Sequence, residues 1–397
     1  MTVLLYNVIQ KVYHIKNSLN LKLDDLEILF MLKYRRFYYK GRLNMKKLNI
    51  GLIYGGKSTE YEVSLRSAKS VLDALDKEKY NVRLIHVLKT GEWVTTTDLS
   101  EIDLTLVENK ETMKVVPGQQ FETETTNIKL DSIFSVLHGT YGEDGNVQGL
   151  LECANVAYVG CDTRGSAVAM DKDVTKRLLD YHHIQVADGV VVHRYEKSAV
   201  DYNLIEEALG LPMFIKPANQ GSSVGVSKVN NEKEFNSALN SAFDFDDKVL
   251  IEAAIVGREI EVSVLGNDEL TVSVPGEIVS NVDFYDYESK YLTDDGATLI
   301  IPAKLTEDET TKIRAVAENT YRTLDCLGYA RVDVFLTESG EVIVNEINTL
   351  PGFTSISMYP KLMEESGIPY SELLDKLIDL SIEKYNEKND IKFDSGF

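Results

Sequence analysis

Little in this 397-residue chain suggests a disulfide scaffold, a membrane span or a nucleic-acid surface. Its three cysteines, Cys153, Cys161 and Cys326, stand at no metal-ligand spacing and leave an odd count. That usage fits a reducing cytosol better than an oxidising compartment. No apolar run approaches the ~20 residues needed to span a bilayer, and no compact apolar stretch with a small-residue cleavage site marks a secretory signal. A formal charge of -21, with no basic stripe after residue 50, argues against binding nucleic acid. Internal repeats, low-complexity tracts, a P-loop and a dinucleotide fingerprint are all missing. What is present is the composition of a soluble globular protein, 44% hydrophobic and 26% charged, long enough for two or three cores.

The first 44 residues differ in character. They hold eight Lys/Arg against three Asp/Glu, a charge of +5 against -26 for the remainder. Met45-Lys46-Lys47 directly precedes a strand, so Met45 reads as a plausible natural start and residues 1–44 as an extension outside the catalytic fold. The alternative is an amphipathic appendage with Leu21, Leu26 and Leu29 on one helical face.

Beyond it, Leu48 to Tyr54 reads as a buried strand, Gly55-Gly56-Lys57-Ser58 as a turn, Ser64 to Leu75 as a helix and Val82 to Val87 as a strand. That order implies a parallel αβ unit. A further strand, Ser132 to Leu137, ends in the glycine-rich turn 138–145, and Val156 to Val159 reads as a short strand closing a first domain near residue 160. Ligands gather at the carboxyl ends of strands in open α/β sheets, so both glycine turns are candidate site walls. A helix from Lys172 to Tyr181, a strand from Pro212 to Pro217, a strand from Val224 to Val229 and a helix from Glu232 to Phe243 follow. The segment from Arg258 onward is strand-rich and ends in a helix from about Ser371 to Asn386. The domains are expected at 45–160, 161–255 and 256–397.

Two strands near the C-terminus carry the clearest chemical signal. In Tyr329 to Phe335, Arg331 and Asp333 sit two residues apart, as do Glu346 and Asn348 in Glu341 to Asn348. Alternation puts each pair on one face. If the strands pair, two carboxylates, an amide oxygen and a guanidinium share a surface, and hard oxygens of that kind suit Mg²⁺ brought in with nucleotide phosphates. A solvated outer face of an antiparallel sheet would produce the same alternation.

Asn219 to Gly225 is a glycine- and serine-rich turn after a strand, where backbone N–H groups and hydroxyls could approach phosphate oxygens; a plain hairpin turn reads the same way. Lys216 lies in the apolar strand before it, a costly place for a cation without an anion. Lys172 stands at a helix start, where the helix dipole does not favour it. A phosphate partner explains both placements, whereas a snorkelling side chain explains either one separately.

Seven blocks then fall in order: Gly-Gly-Lys-Ser-Thr-Glu-Tyr-Glu-Val-Ser at 55–64, His-Gly-x-x-Gly-Glu-Asp-Gly at 138–145, Met-Asp-Lys at 170–172, Lys-Pro-Ala-Asn-Gln-Gly-Ser-Ser-Val-Gly at 216–225, Phe-Tyr-Asp-Tyr-Glu-Ser-Lys-Tyr at 284–291, Arg-Val-Asp-Val at 331–334 and Asn-Glu-Ile-Asn-Thr-Leu-Pro-Gly-Phe-Thr at 345–354. From about residue 46 to about 385 the chain resembles the D-alanine–D-alanine ligase family of the ATP-grasp superfamily. The resemblance implies an α/β (α+β) ATP-grasp fold of three domains, with ATP held between two of them.

The resemblance also implies roles. Asp333, Glu346 and Asn348 match the family's Mg²⁺ ligands, with two ions expected and Mn²⁺ able to substitute. Lys172 and Lys216 match phosphate contacts, as do the serines Ser222 and Ser223 of the glycine turn; Glu259 matches the ribose contact. Glu252 and the backbone from Ala253 to Ile255 match the adenine hinge. Glu60 would bind the ammonium of the first D-alanine, with Ser222 and Tyr291 linked to it and His138 nearby. Arg331 and the Gly352 backbone would grip the oxyanion, and Ser357 would hold the second substrate's carboxylate. Lys290, on a polar lid from Phe284 to Leu299, would reach the γ-phosphate on closure. The expected reaction joins two D-alanine molecules through a D-alanyl phosphate, for peptidoglycan precursors, in a cytoplasmic homodimer without membrane insertion.

Neighbouring functions compete. D-alanine–D-lactate ligases share nearly every motif, and in some of them phenylalanine stands where this chain has Tyr291, which favours the dipeptide here. A non-catalytic ATP-binding regulator would retain the fold, yet every metal, phosphate and oxyanion position holds a competent residue. A carboxylase-type relative would need a biotin or bicarbonate site that the chain does not display.

Overall fold

The computed structural model describes residues 46–99, 110–280, 297–354 and 356–392. The chain divides into two compact units at Lys47/Leu48, and the second carries all the elements below.

Strand β1 (Leu48–Gly55) is apolar and almost wholly buried, as expected of a strand covered on both faces. It pairs in parallel with β2 (Tyr80–Val87) and with β4 (Ser132–Ser135), and β3 (Trp93–Thr96) adds antiparallel to β2. Helix α1 (Tyr61–Ala74) makes the crossover and buries Val63, Leu65, Ala68, Val71 and Leu72 against the sheet. It starts three residues before the expected Ser64. The expected strand from Val156 to Val159 reduces to a single parallel bridge, Tyr158 to Ile133. Helix α2 (Asn146–Ala154) lies between β4 and that bridge.

After α3 (Thr163–Met170), helix α4 (Lys172–Tyr181) begins where Asp171 accepts hydrogen bonds from the N–H groups of Asp173 and Val174, both at 3.1 Å. Such a cap supplies partners for N–H groups left over at a helix start. A four-stranded antiparallel sheet follows in the order β7 (Ser227–Val229), β6 (Met213–Pro217), β8 (Lys248–Ala253), β5 (Gly189–His193). Helix α5 (Glu232–Ala242) covers it with Phe235, Ala238 and Leu239. Strand β7 is shorter than the expected Val224–Val229, because the turn that begins at Ser222 and Ser223, φ 50° and 59°, runs on to Gly225, φ 72°, inside that range. Such angles suit a turn and interrupt a strand.

The third sheet runs β11 (Ala297–Ile300), β10 (Gly276–Ser280), β9 (Arg258–Leu265), β12 (Tyr329–Leu336), β13 (Val342–Asn348) and is backed by α6 (Glu307–Thr323). Helix α7 (Met358–Glu365) leads into α8 (Tyr370–Asp390), which returns to the first sheet. Leu373, Leu374, Leu377 and Ile378 share one core with Ile50, Leu52 and Phe134. Each such fully buried side chain is worth about 1.5–3 kcal/mol. Lys79 and Tyr80 both reach the Asp375 carboxylate, at 2.5 and 2.6 Å. The C-terminal helix, by sequence order part of the last segment, thus clamps the first sheet to the third.

Candidate active site

Antiparallel pairing of β12 with β13 sets Asp333 opposite Glu346 and Arg331 opposite Asn348. On the other side, β9 sets Glu261 opposite Asp333 and Ser263 opposite Arg331. One face therefore carries a row of three carboxylates, Glu261, Asp333 and Glu346, beside a row of Ser263, Arg331 and Asn348. Glu261 escaped the sequence reading. The alternation Glu259-Ile260-Glu261-Val262-Ser263 was its signal, but only strand pairing reveals its neighbours.

Arg331 lies inside this acidic row. Its Nε and one terminal nitrogen donate to the two oxygens of Asp333, both at 2.7 Å, and Nε lies 3.0 Å from Glu261. Burial opposes the charged guanidinium, yet Asp333 and Glu261 outweigh it and push the Arg331 pKa well above its ordinary value. The face is therefore not a solvated sheet surface: the side chains of Arg331 and Asp333 are 18% and 13% exposed. Three carboxylates against one guanidinium leave a negative surplus, and Asn348 adds a neutral oxygen, so the donor set suits a hard divalent cation. Among the described residues no three acidic or imidazole groups are already gathered round one point, and Arg331 takes up both oxygens of Asp333.

The basic side is assembled by α4 and β6. Lys172 donates to the Gln220 carbonyl at 2.7 Å and lies 3.6 Å from Glu346, joining the serine turn to the acidic row. Lys216 and Lys176 both pair with Glu252, each on a different oxygen. All three lysines and Glu252 are buried, which excludes the snorkelling alternative. Burial would raise the Glu252 carboxyl, but Lys216 and Lys176 hold it below the usual carboxylate range. Lys176 was not singled out in the sequence. Its spacing of four from Lys172 was the signal, because residues one turn apart share a helix face.

At the end of β8, the N–H groups of Ala253 and Ala254 bond the carbonyls of Asp188 and Pro212, at 3.0 and 3.2 Å, so Ile255 follows from a fixed exit. Glu259 is exposed on β9, two residues from Glu261 on the same face.

Glu60 occupies the N-cap position of α1, yet its side chain does not cap that helix. It instead accepts a hydrogen bond from the Ser222 hydroxyl, 162 residues away. The backbone of Gly139 presses on the same carboxylate: a methyl group there would lie 2.6 Å from Glu60 Oε2 and 2.6 Å from Ser58 Oγ, and Gly139 has φ +74°. Three glycine-bearing loops thus converge on one buried carboxylate.

His138 is buried beside this centre with both ring nitrogens engaged. Nε2 lies 3.0 Å from Ser67 Oγ, and Nδ1 lies 3.1 Å from the Leu350 carbonyl and 3.6 Å from Glu143. Burial favours the neutral ring, but Glu143 and then Glu60 outweigh it and raise the pKa. His138 therefore ties the 138–145 turn to the loop carrying Gly352. In that loop, Ser357 Oγ accepts from Thr354 N–H at 3.0 Å and lies 2.8 Å from Thr354 Oγ1. A methyl group on Gly352 would stand 2.8 Å from Ser357 Oγ, so the two positions are adjacent. Lys290 and Tyr291 lie outside the described residues, as does the expected lid except for residues 297–299.

Comparison with known proteins agrees in sequence and in fold. Residues 49–161 match the family model described as the D-ala D-ala ligase N-terminus, and residues 178–379 match the D-ala D-ala ligase C-terminus. The chain is 50% identical over 361 residues to a D-alanine--D-alanine ligase of Oceanobacillus iheyensis, covering 88% of this chain and 98% of the relative. Among solved structures, the D-alanine-D-alanine ligase from Coxiella burnetii superposes with a TM-score of 0.76 at 36% identity, over 86% of this chain and 97% of that one. The VanG D-Ala:D-Ser ligase from Enterococcus faecalis gives 0.77 at 38% identity, over 85% and 100%.

Proposed function

The chain belongs to the D-alanine–D-alanine ligase family, and on that premise we propose that it joins two D-alanine molecules at the expense of ATP, releasing ADP and phosphate. The observation that carries this reading is the Glu60 carboxylate, buried at the meeting of three loops and bonded to a serine of the glycine turn. A buried carboxylate there is a socket for an ammonium group beside the place where phosphates would lie.

Glu60 takes the ammonium of the first D-alanine and so aims its carboxylate toward the γ-phosphate. That carboxylate oxygen attacks phosphorus, the bond to the ADP oxygen breaks, and D-alanyl phosphate forms. Lys172 and Lys216 stabilise charge on the transferring group. The amine of the second D-alanine, oriented by Ser357 at its carboxylate, attacks the activated carbonyl. Arg331 and the Gly352 N–H stabilise the tetrahedral oxyanion until phosphate leaves. Donors placed in advance toward such charge are worth about 2.7–4 kcal/mol each. Asp333, Glu346 and Asn348 would hold Mg²⁺ or Mn²⁺, which neutralises phosphate charge when bound. Glu259 takes the ribose, and Glu252 with residues 253–255 takes adenine. Lys290 and Tyr291 complete the site from the lid, which keeps water from the acyl phosphate.

The family's role in peptidoglycan precursor synthesis, a cytoplasmic setting and a homodimer belong to the same proposal. No helix among the described residues is long and apolar enough to cross a membrane. The likeness to a D-Ala:D-Ser ligase makes the second substrate the point to test. ADP release with ATP, Mg²⁺ and D-alanine, with D-serine, D-lactate or L-alanine as competing acceptor, should yield D-alanyl-D-alanine as the main product by mass. A dominant D-serine or D-lactate product would overturn the acceptor assignment, and no ADP release would overturn the ligase reading.

A further inference from the structure

Three lysines are buried together between α4 and the sheet carrying β6 and β8, and they are unequally matched. The neighbouring charges pair among themselves: Lys248 reaches Asp171 at 2.6 Å and Asp173 at 2.9 Å, and Arg177 reaches Asp173 at 2.8 Å. Lys172 is held by the Gln220 carbonyl and lies near Glu346. Lys176 and Lys216 share Glu252, Lys176 on Oε1 and Lys216 on Oε2.

Two cations on one buried carboxylate exceed what neutralising Glu252 requires, and each buried charge carries a desolvation cost. The excess has a use if one lysine must leave. On the ligase reading Lys216 moves to the phosphates. Were it the sole cation on Glu252, its departure would strand a charged carboxylate in a dry pocket. Lys176 prevents this from the opposite oxygen. The oxygen that Lys216 vacates is then free to accept a hydrogen bond from the amino group of adenine.

We propose that Lys176 is a positioning residue for the nucleotide, keeping Glu252 charged and in place while Lys216 exchanges that carboxylate for phosphate oxygens. The proposal rests on the ligase reading and adds to it a source of base selectivity. Without Lys176, Lys216 stays on Glu252, and phosphate contact and base readout weaken together. Burial lowers the Lys176 pKa, which Glu252 only partly offsets, so an ammonium held there carries a cost the exchange would justify.

The test compares ATP with inosine triphosphate, which carries a carbonyl where adenine has its amino group, in wild-type enzyme, Lys176→Met, Glu252→Gln and the double variant. Wild type should prefer ATP. Lys176→Met should raise the KM for ATP by about ten- to a hundredfold, the range for losing one hydrogen bond to a charged group. The KM for D-alanine should stay unchanged and the preference for ATP should collapse. In the Glu252→Gln background, Lys176→Met should add nothing, because the lysine acts only through that carboxylate. A purely structural lysine would instead lower thermal stability and raise both KM values together, which overturns the proposal. So would an unchanged KM for ATP in Lys176→Met, or fully additive effects in the double variant. Should Lys176→Met not fold, Lys176→Arg decides: a kept preference for ATP with unchanged D-alanine KM supports the exchange, and a preference lost together with D-alanine affinity overturns it. An active wild type with an unaffected variant refutes only this inference, whereas an inactive wild type refutes the ligase reading as well.

Discussion

Substituting Gly139 by alanine would test whether Glu60 orients the first substrate. Gly139 adopts φ +74°, a conformation that costs an L-residue about 1–2 kcal/mol. The added methyl group would lie 2.6 Å from both Glu60 Oε2 and Ser58 Oγ, about 0.8 Å short of the 3.4 Å at which ordinary contact begins. Ser58 cannot simply withdraw, since its hydroxyl accepts the Glu60 N–H at 3.1 Å. Glu60 is also tied to Ser222, so the carboxylate must move and drag the serine turn with it. A misplacement approaching 1 Å costs on the order of a hundredfold in rate. Gly139→Ala should therefore lower kcat/KM for the first D-alanine by about 10²-fold and stability by about 1–2 kcal/mol. Initial rates of ADP release across a D-alanine titration separate the two substrate sites, and urea unfolding gives the stability. Loss of stability at unchanged first-site kinetics would refute the assignment of Glu60.

Three further outcomes follow from the same contacts. Arg331→Met removes the cation between Asp333 and Glu261, and breaking a buried pair costs about 3–5 kcal/mol. Asp333→Asn in that background should recover part of the stability but no turnover, and wild-type stability in the single variant would contradict the pairing. Ser357→Ala should raise the KM of the second D-alanine by about tenfold, the lower end of the range for one hydrogen bond to a charged group, and leave the first unchanged. Equal changes at both sites would place Ser357 elsewhere. Stability should fall on acidification because of His86, whose pKa burial, aided by Lys110, lowers to about 4. The unfolded chain takes up a proton below pH 6.5 that the native ring refuses until about 4, so this contribution is complete above 6.5 and lost as pH falls through 4. His86→Gln should flatten urea stability between pH 6 and 4, and an unaltered slope would contradict it.

Where a signal was local, the chain displayed it. Helix α4 spans the expected Lys172–Tyr181, because Asp171 caps it and its apolar and polar residues recur with helical period. The face shared by Arg331 and Asp333 follows from alternation along one strand. The start of β7 was less legible, since Gly225 can be extended or left-handed, and its φ of 72° delays the strand to Ser227. Around Tyr158 the sequence favours a strand where the fold makes a single bridge, because apolar, β-branched residues there suit a buried loop as well as a strand.

Residue order alone was enough for the αβ plan, the glycine turns, the two alternating strands and the motif series that marks the family, because each depends on spacing within a few residues. Strand register, the Glu261–Asp333–Glu346 row, the sharing of Glu252 by two lysines and the return of α8 onto the first sheet depend on chain segments far apart. Which charges meet in the interior is settled by long-range packing, where an ion's energy depends on partners and burial that no local pattern records.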